Sequence, residues 1–149
     1  MNHIFEVKEA KPWHVGQMAR IIREDLAGQI ISNNMNIHRE MVKVFNESYY
    51  RKIWLVDGIL CGIGGVAGSA ISCSGFIWVA LNSNALRFPK EIIKESKRQI
   101  NLALAYHSKL FATTFYGDVR ARRFVEFLGF SEFDHNEFWT YYSLDKVDV

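Results

Sequence analysis

The sequence predicts an α/β fold (α+β in its mixed sheet), a β-sheet flanked by helices with elements in the order β-α-α-β-β-β-α-β-α-β. Three observations predict it. Two helical stripes precede a hairpin signal, Asp57-Gly58. Three strand-like runs then follow one another as far as Leu81. Beyond them helix and strand patterns alternate, as a βαβ crossover within a sheet requires. Residues 1–149 read as a single domain, a usual length for one hydrophobic core.

Each element has its own signal. Ile4, Phe5 and Val7 make a short first strand, ended by charged residues and Pro12, which suits the first turn of a helix. Val15, Met18, Ala19, Ile22 and Leu26 recur at helical spacing, and Gly28 stands where that helix stops. Ser32-Asn33-Asn34 reads as a loop. Asn36 caps a second helix whose buried stripe is Ile37, Met41, Val44 and Phe45. Arg51 to Val56 is a strand, and its hairpin partner runs from Ile59 to Gly68. Gly62, Gly64 and Gly65 lie inside that hairpin strand rather than between a strand and a helix, so they signal close packing and not a nucleotide loop.

Gly75 to Leu81 is apolar throughout, which predicts a central strand covered on both faces. Pro89 opens the longest helix, with Ile92, Ile93, Ser96, Ile100, Ala103 and Leu104 inward and His107 at its end. Lys109 to Tyr116 gives another strand, Val119 to Leu128 a short helix, and Gly129 its C-cap. Glu137 to Leu144 alternates as the last strand, leaving room for a further short strand around Ser131 to Phe133.

Composition removes several function classes. With 49% hydrophobic residues and 14% aromatics the chain has the makings of a packed core, unlike a disordered one. A net charge of +2 argues against nucleic acid as the main partner. Cys61 and Cys73 have no zinc-type spacing. The N-terminus lacks the basic-then-apolar pattern of a signal peptide, and Ile59 to Ile71 is too short to span a bilayer. A cytoplasmic location and no membrane partner are expected.

The segment Asp118-Val-Arg-Ala121-Arg-Arg-Phe124-Val125-Glu126-Phe127-Leu128-Gly129-Phe130 resembles a pattern of the GNAT N-acyltransferase superfamily. That pattern runs from an Asn, through an Ala three residues on, to a closing Leu-Gly-Phe. The hairpin Leu55 to Gly65 is similar to the second and third strands of that fold. Within the superfamily, Gly75-Phe-Ile-Trp78-Val, then Phe88-Pro89-Lys-Glu and a long helix reaching Tyr106, resemble GNAT-like proteins of short-tailed phages. Some of those are internal virion proteins and others acetyltransferases.

The resemblance implies a GNAT fold, acetyl-CoA as acyl donor and an amine as acceptor. It places the donor's pyrophosphate at the start of the long helix after the fourth strand, on backbone N–H groups. The family loop there carries glycines. This chain reads Leu81-Asn-Ser-Asn-Ala-Leu-Arg87-Phe-Pro89 instead, leaving Ser83, Asn84 and Arg87 as the candidate phosphate ligands. The main chain of Val79, Ala80 and Leu81 is expected to pair with the pantetheine arm where a bulge parts the fourth strand from the fifth. Asp118 and Arg120 complete the candidate donor site; Arg120, Arg122 and Arg123 are candidates for the 3′-phosphate or a nucleic-acid backbone, though they also read as a solvated face beside Glu126.

The family's acid, a Tyr four residues before the closing glycine, is replaced by Val125, and Tyr116 is the candidate substitute. Gly75 to Leu81 supplies no ionisable base. Glu24, Asp25 and His38 come from the region that shapes the acceptor side, but read as solvated surface residues. Two functions therefore stay open. One is acetyl transfer to an amine. The other is a GNAT fold without catalysis, acting through contacts with a virion or host protein.

Overall fold

The computed structural model describes residues 3–25, 37–137 and 139–148. The helix stop at Gly28, the loop at Ser32-Asn33-Asn34 and the cap at Asn36 lie outside the described residues. The described chain forms β1 (Phe5–Glu9), α1 (Pro12–Asp25), α2 (Ile37–Glu47), β2 (Ser48–Val56), β3 (Ile59–Ala67) and β4 (Ser74–Leu81). It continues with α3 (Pro89–Leu104), β5 (Lys109–Phe115), α4 (Val119–Phe127), β6 (Ser131–His135) and β7 (Trp139–Asp145). A 3-10 turn, Ser83–Arg87, lies between β4 and α3.

One seven-stranded sheet has the order β1-β2-β3-β4-β5-β7-β6. Neighbours are antiparallel except β4 and β5, which are joined by the α3 crossover. The short strand around Ser131 is β6, at the sheet edge.

Helices cover both faces because the strands alternate their apolar side chains. On one face Val15, Met18 and Ile22 of α1 and Met41 and Phe45 of α2 pack on Ile53 and Ile63, with Trp78 and Ala80 at the margin. On the other face Ile100, Ala103 and Leu104 of α3 pack on Leu110, Ala112, Tyr142 and Leu144. Val125 and Leu128 of α4 close the same cluster.

Local chemistry fixes the turns. Asp57 and Gly58 have φ of 52° and 78°, the left-handed pair that a two-residue hairpin matched to strand twist demands. Gly129, with φ of 105°, ends α4. Its N–H donates to the Glu126 carbonyl at 3.0 Å and that of Phe130 to Val125 at 3.3 Å, the paired bonds of a Schellman stop.

Two expectations are corrected. β4 is not covered on both faces: apart from Gly75 its residues are half-buried or exposed, because the strand borders an open cleft. α3 stops at Leu104, and His107 lies beyond it, only 2% exposed. Its Nδ1 is 2.8 Å from the Ser72 carbonyl and its Nε2 2.7 Å from the Tyr49 hydroxyl. A carbonyl only accepts, so Nδ1 carries a proton there. A Cβ at Gly75 would stand 2.7 Å from that ring, so the imidazole dictates the glycine.

Candidate functional site

The sheet splits down its middle. β4 and β5 pair only at Ser74, Gly75 and Phe76, opposite Lys109, Leu110 and Phe111. Beyond Phe76, β4 follows β3 as far as the Leu81–Gly62 pair, while β5 follows β7 as far as Phe115–Trp139. Ile77 to Leu81 therefore has no strand partner on its β5 side among the described residues. The expected bulge in β4 is absent: the β3–β4 register runs unbroken, and the shifts fall in the β2–β3 and β6–β7 ladders. The strands part because each keeps its antiparallel neighbour and twists with it.

The gap opens to both faces. Under α3 and α4 lies a cleft of ≈ 750 Å³ bordered by Ile77, Val79, Leu81, Ile93, Thr114 and Phe124. On the α2 face lies a wider cavity of ≈ 1030 Å³. Both are lined by Trp78, Val79, Ala80, Thr113, Trp139 and Glu40, so they meet where β4 and β5 diverge. Among the described residues, Glu40 is the one ionisable side chain on both.

The cleft wall is braced from β2 to α3. The Tyr50 hydroxyl donates to Gln99 Oε1 at 2.9 Å, and Gln99 Nε2 donates to Glu95 Oε2 at 2.7 Å. Lys52 lines the cleft but bonds Glu9 at 2.8 Å, and this bond raises the lysine pKa and lowers that of the carboxylate. Arg120, on the first turn of α4, is the other cation on the cleft. Thr114 Oγ1 is buried beside the gap without a hydrogen-bond partner within the protein.

The residues singled out in the sequence do not all converge. Val79, Ala80, Leu81, Ser83, Asp118 and Arg120 line the cleft. Asp118 also caps α4, accepting from the Ala121 N–H at 3.0 Å, so its carboxylate has a structural duty. Asn84, Arg87 and Tyr116 are outside the cleft lining. Asn84 donates to the Leu60 carbonyl at 3.1 Å. Arg87 stacks on Phe88, 5.4 Å from ring centroid to guanidinium, and its charge helps lower the pKa of Asp57 at the β2–β3 turn. The larger causes at Asp57 are hydrogen bonds from the Ile4 N–H and from His3. Tyr116 packs between Arg122, 4.8 Å away, and His135, 5.2 Å away.

The phosphate loop has also changed character. Ser83–Arg87 is wound into a 3-10 turn in which the Ala85 N–H donates to the Asn82 carbonyl and the Phe88 N–H to the Ala85 carbonyl, both at 3.0 Å. The Asn84 N–H donates to Asn82 Oδ1, also at 3.0 Å. The N–H groups of Asn84, Ala85 and Phe88 are thus spent within the turn.

No protein-family model matches the sequence, and no curated protein matches it. Solved structures do. Ard1 from Thermoplasma volcanium superposes with a TM-score of 0.71 at 12% identity, over 95% of this chain and 97% of that one. The fold is that of the GNAT acetyltransferases. An acetyltransferase from Streptococcus agalactiae gives a TM-score of 0.67 at 15% identity, covering 95% of this chain and 98% of its own. A Salmonella typhimurium protein held to be an acetyltransferase, solved with acetyl-CoA, gives 0.64 at 12%, covering 95% and 93%. At such identities the likeness establishes the GNAT fold, and function must rest on the site.

Sequence reasoning passed over Glu40 and Thr114. Glu40 sits with Arg39 and Lys43 on a charged helix surface, and nothing in its spacing marks which side looks into the gap. Thr114 lies on a strand with no motif around it.

Proposed function

We propose that this protein binds an acyl-CoA in the cleft under α3 and α4 and transfers an acetyl group to an amine entering from the α2 face. The observation that carries the proposal is the parting of β4 from β5 after Phe76, which joins two cavities through the sheet at Val79, Ala80 and Thr113. A donor and an acceptor in those cavities meet at one point, and holding both there supplies much of the rate enhancement of a bimolecular transfer. No helix among the described residues is long and apolar enough to cross a membrane.

Each group then has a task. The unpaired backbone of Ile77 to Leu81 pairs with the amides of the pantetheine arm, and Arg120 meets the phosphate end. Glu40 accepts a proton from the incoming ammonium. The amine nitrogen attacks the thioester carbonyl carbon, the C–S bond breaks with its electron pair leaving on sulfur, and the nitrogen gives up its second ammonium proton to solvent as the amide forms. A thiolate is a far weaker base than an alkoxide, so it leaves readily and takes its proton from solvent at the open cleft. Neither Val125 nor Tyr116 need supply one.

Backbone chemical shifts test the donor site. With CoA added, amides of Ile77 to Leu81 and Ala112 to Thr114 should move most. Shifts confined to other elements would place the ligand elsewhere and refute the assignment. Arg87→Ala is expected to leave acetyl-CoA affinity unchanged, since Arg87 lies outside the cleft lining and stacks on Phe88. A tenfold loss on calorimetric titration would return Arg87 to the phosphate site.

The 3-10 turn, Pro89 and Val125 favour a second reading, a GNAT-fold protein of phage origin that works through contacts with a virion or host protein. It predicts no acyl-CoA binding at all.

A further inference from the structure

The α2-side cavity has two unlike walls. Sheet alternation turns Thr140, Tyr142 and Leu144 of β7 into the core under α3 and α4, so Trp139 and Tyr141 face the other way. Phe111 of β5 and Phe133 of β6 join them: Phe111 and Phe133 are 5.9 Å apart edge to face, and Phe133 is 6.3 Å from Tyr141. These rings make a continuous aromatic wall, and Phe133 is 58% exposed. One cation already lies over it: Lys109 Nζ is 5.7 Å from the Phe111 centroid.

The facing wall is α2. Glu40, Lys43, Val44 and Glu47 fall on one helical face at spacings of three and four, and all line the cavity. Two carboxylates against one ammonium leave that wall net negative. Glu40 is the one of the two that also borders the reaction gap. Lys43, one turn from each carboxylate, separates them with positive charge, which disfavours a polyamine lying along the helix.

Resting on the acyl-transfer reading, we propose that the acceptor is a primary amine on an aromatic body, an arylalkylamine. Its ring lies on the Phe111–Phe133–Tyr141 wall and its ammonium reaches Glu40. An aromatic ring gains edge-to-face contact that an alkyl chain of equal hydrophobicity does not. The cavity continues into the donor cleft through Trp139 and Thr113, so an amine held on the wall points at the thioester.

The experiment compares acetyl transfer to phenethylamine, hexylamine, spermidine and a short peptide with a free N-terminus, at saturating acetyl-CoA. Acetyl-CoA binding is measured separately by calorimetry. Phenethylamine should give a kcat/KM about tenfold above hexylamine, and higher than spermidine or the peptide. Phe133→Ala, at an exposed position, should remove that advantage while leaving acetyl-CoA affinity unchanged, since Phe133 does not line the donor cleft. If acetyl-CoA binds but hexylamine, spermidine or the peptide reacts as fast as phenethylamine, the acceptor class is wrong and acyl transfer stands. If acetyl-CoA does not bind, the acyl-transfer reading falls and this acceptor class falls with it.

Discussion

Glu40→Gln should lower kcat for acetyl transfer about 100-fold, the low end of what a positioned base contributes. Acetyl-CoA affinity should stay within a factor of two. Glu40 is the ionisable side chain common to both cavities among the described residues, at the point where donor and acceptor meet. Glutamine keeps the size and a hydrogen-bond acceptor but cannot take a proton at neutral pH. The side chain is exposed in the first turn of α2, so folding should lose only the small helix-dipole contribution of a carboxylate there. A kcat unchanged in the variant would mean that the amine arrives already neutral and that Glu40 has no part in the chemistry.

Gly65→Ala is the largest expected stability effect. A Cβ at Gly65 would collide with the Tyr50 carbonyl oxygen and lie 2.9 Å from its carbon, at the register shift where β2 bulges against β3. Both obstacles are backbone in the middle of the sheet, so neither can swing aside. Overpacking of this kind costs about 3 kcal/mol, or a Tm lower by roughly 6–12 °C for a chain of this size. Gly16 is the control: nothing lies within 4 Å of its Cβ position outside the helix itself. Gly16→Ala within α1 should raise stability by about 1 kcal/mol through helix propensity. Equal melting temperatures for wild type and Gly65→Ala would show that β2 and β3 can separate at the bulge.

Much of the fold is legible because its signals are local. Asp57-Gly58 needs only its own left-handed dihedrals, and Gly129 only the helix it terminates. The glycines of β3 declare close packing, and a Cβ at Gly64 would indeed lie 2.6 Å from the Trp78 carbonyl. The site is less legible because it depends on faces and gaps. The apolar run Gly75 to Leu81 looks like a strand buried on both sides, whereas it borders a cleft that exists only because β5 departs with β7. Arg87 reads as a phosphate ligand by its place in the loop. The 3-10 turn lays it over Phe88, outside the cleft lining, instead. His107 shows a related limit. Its burial follows from a partnership with Tyr49 and Ser72, far apart from it in the chain.

Calorimetric titration with acetyl-CoA, with CoA alone beside it, decides whether the cleft holds an acyl donor. Binding in the micromolar range, about −8 kcal/mol, is the expected result: Arg120 and the β4 edge then hold the donor without a glycine loop. No heat and no thermal stabilisation at millimolar ligand would contradict the account and leave the GNAT fold as a scaffold for protein contacts.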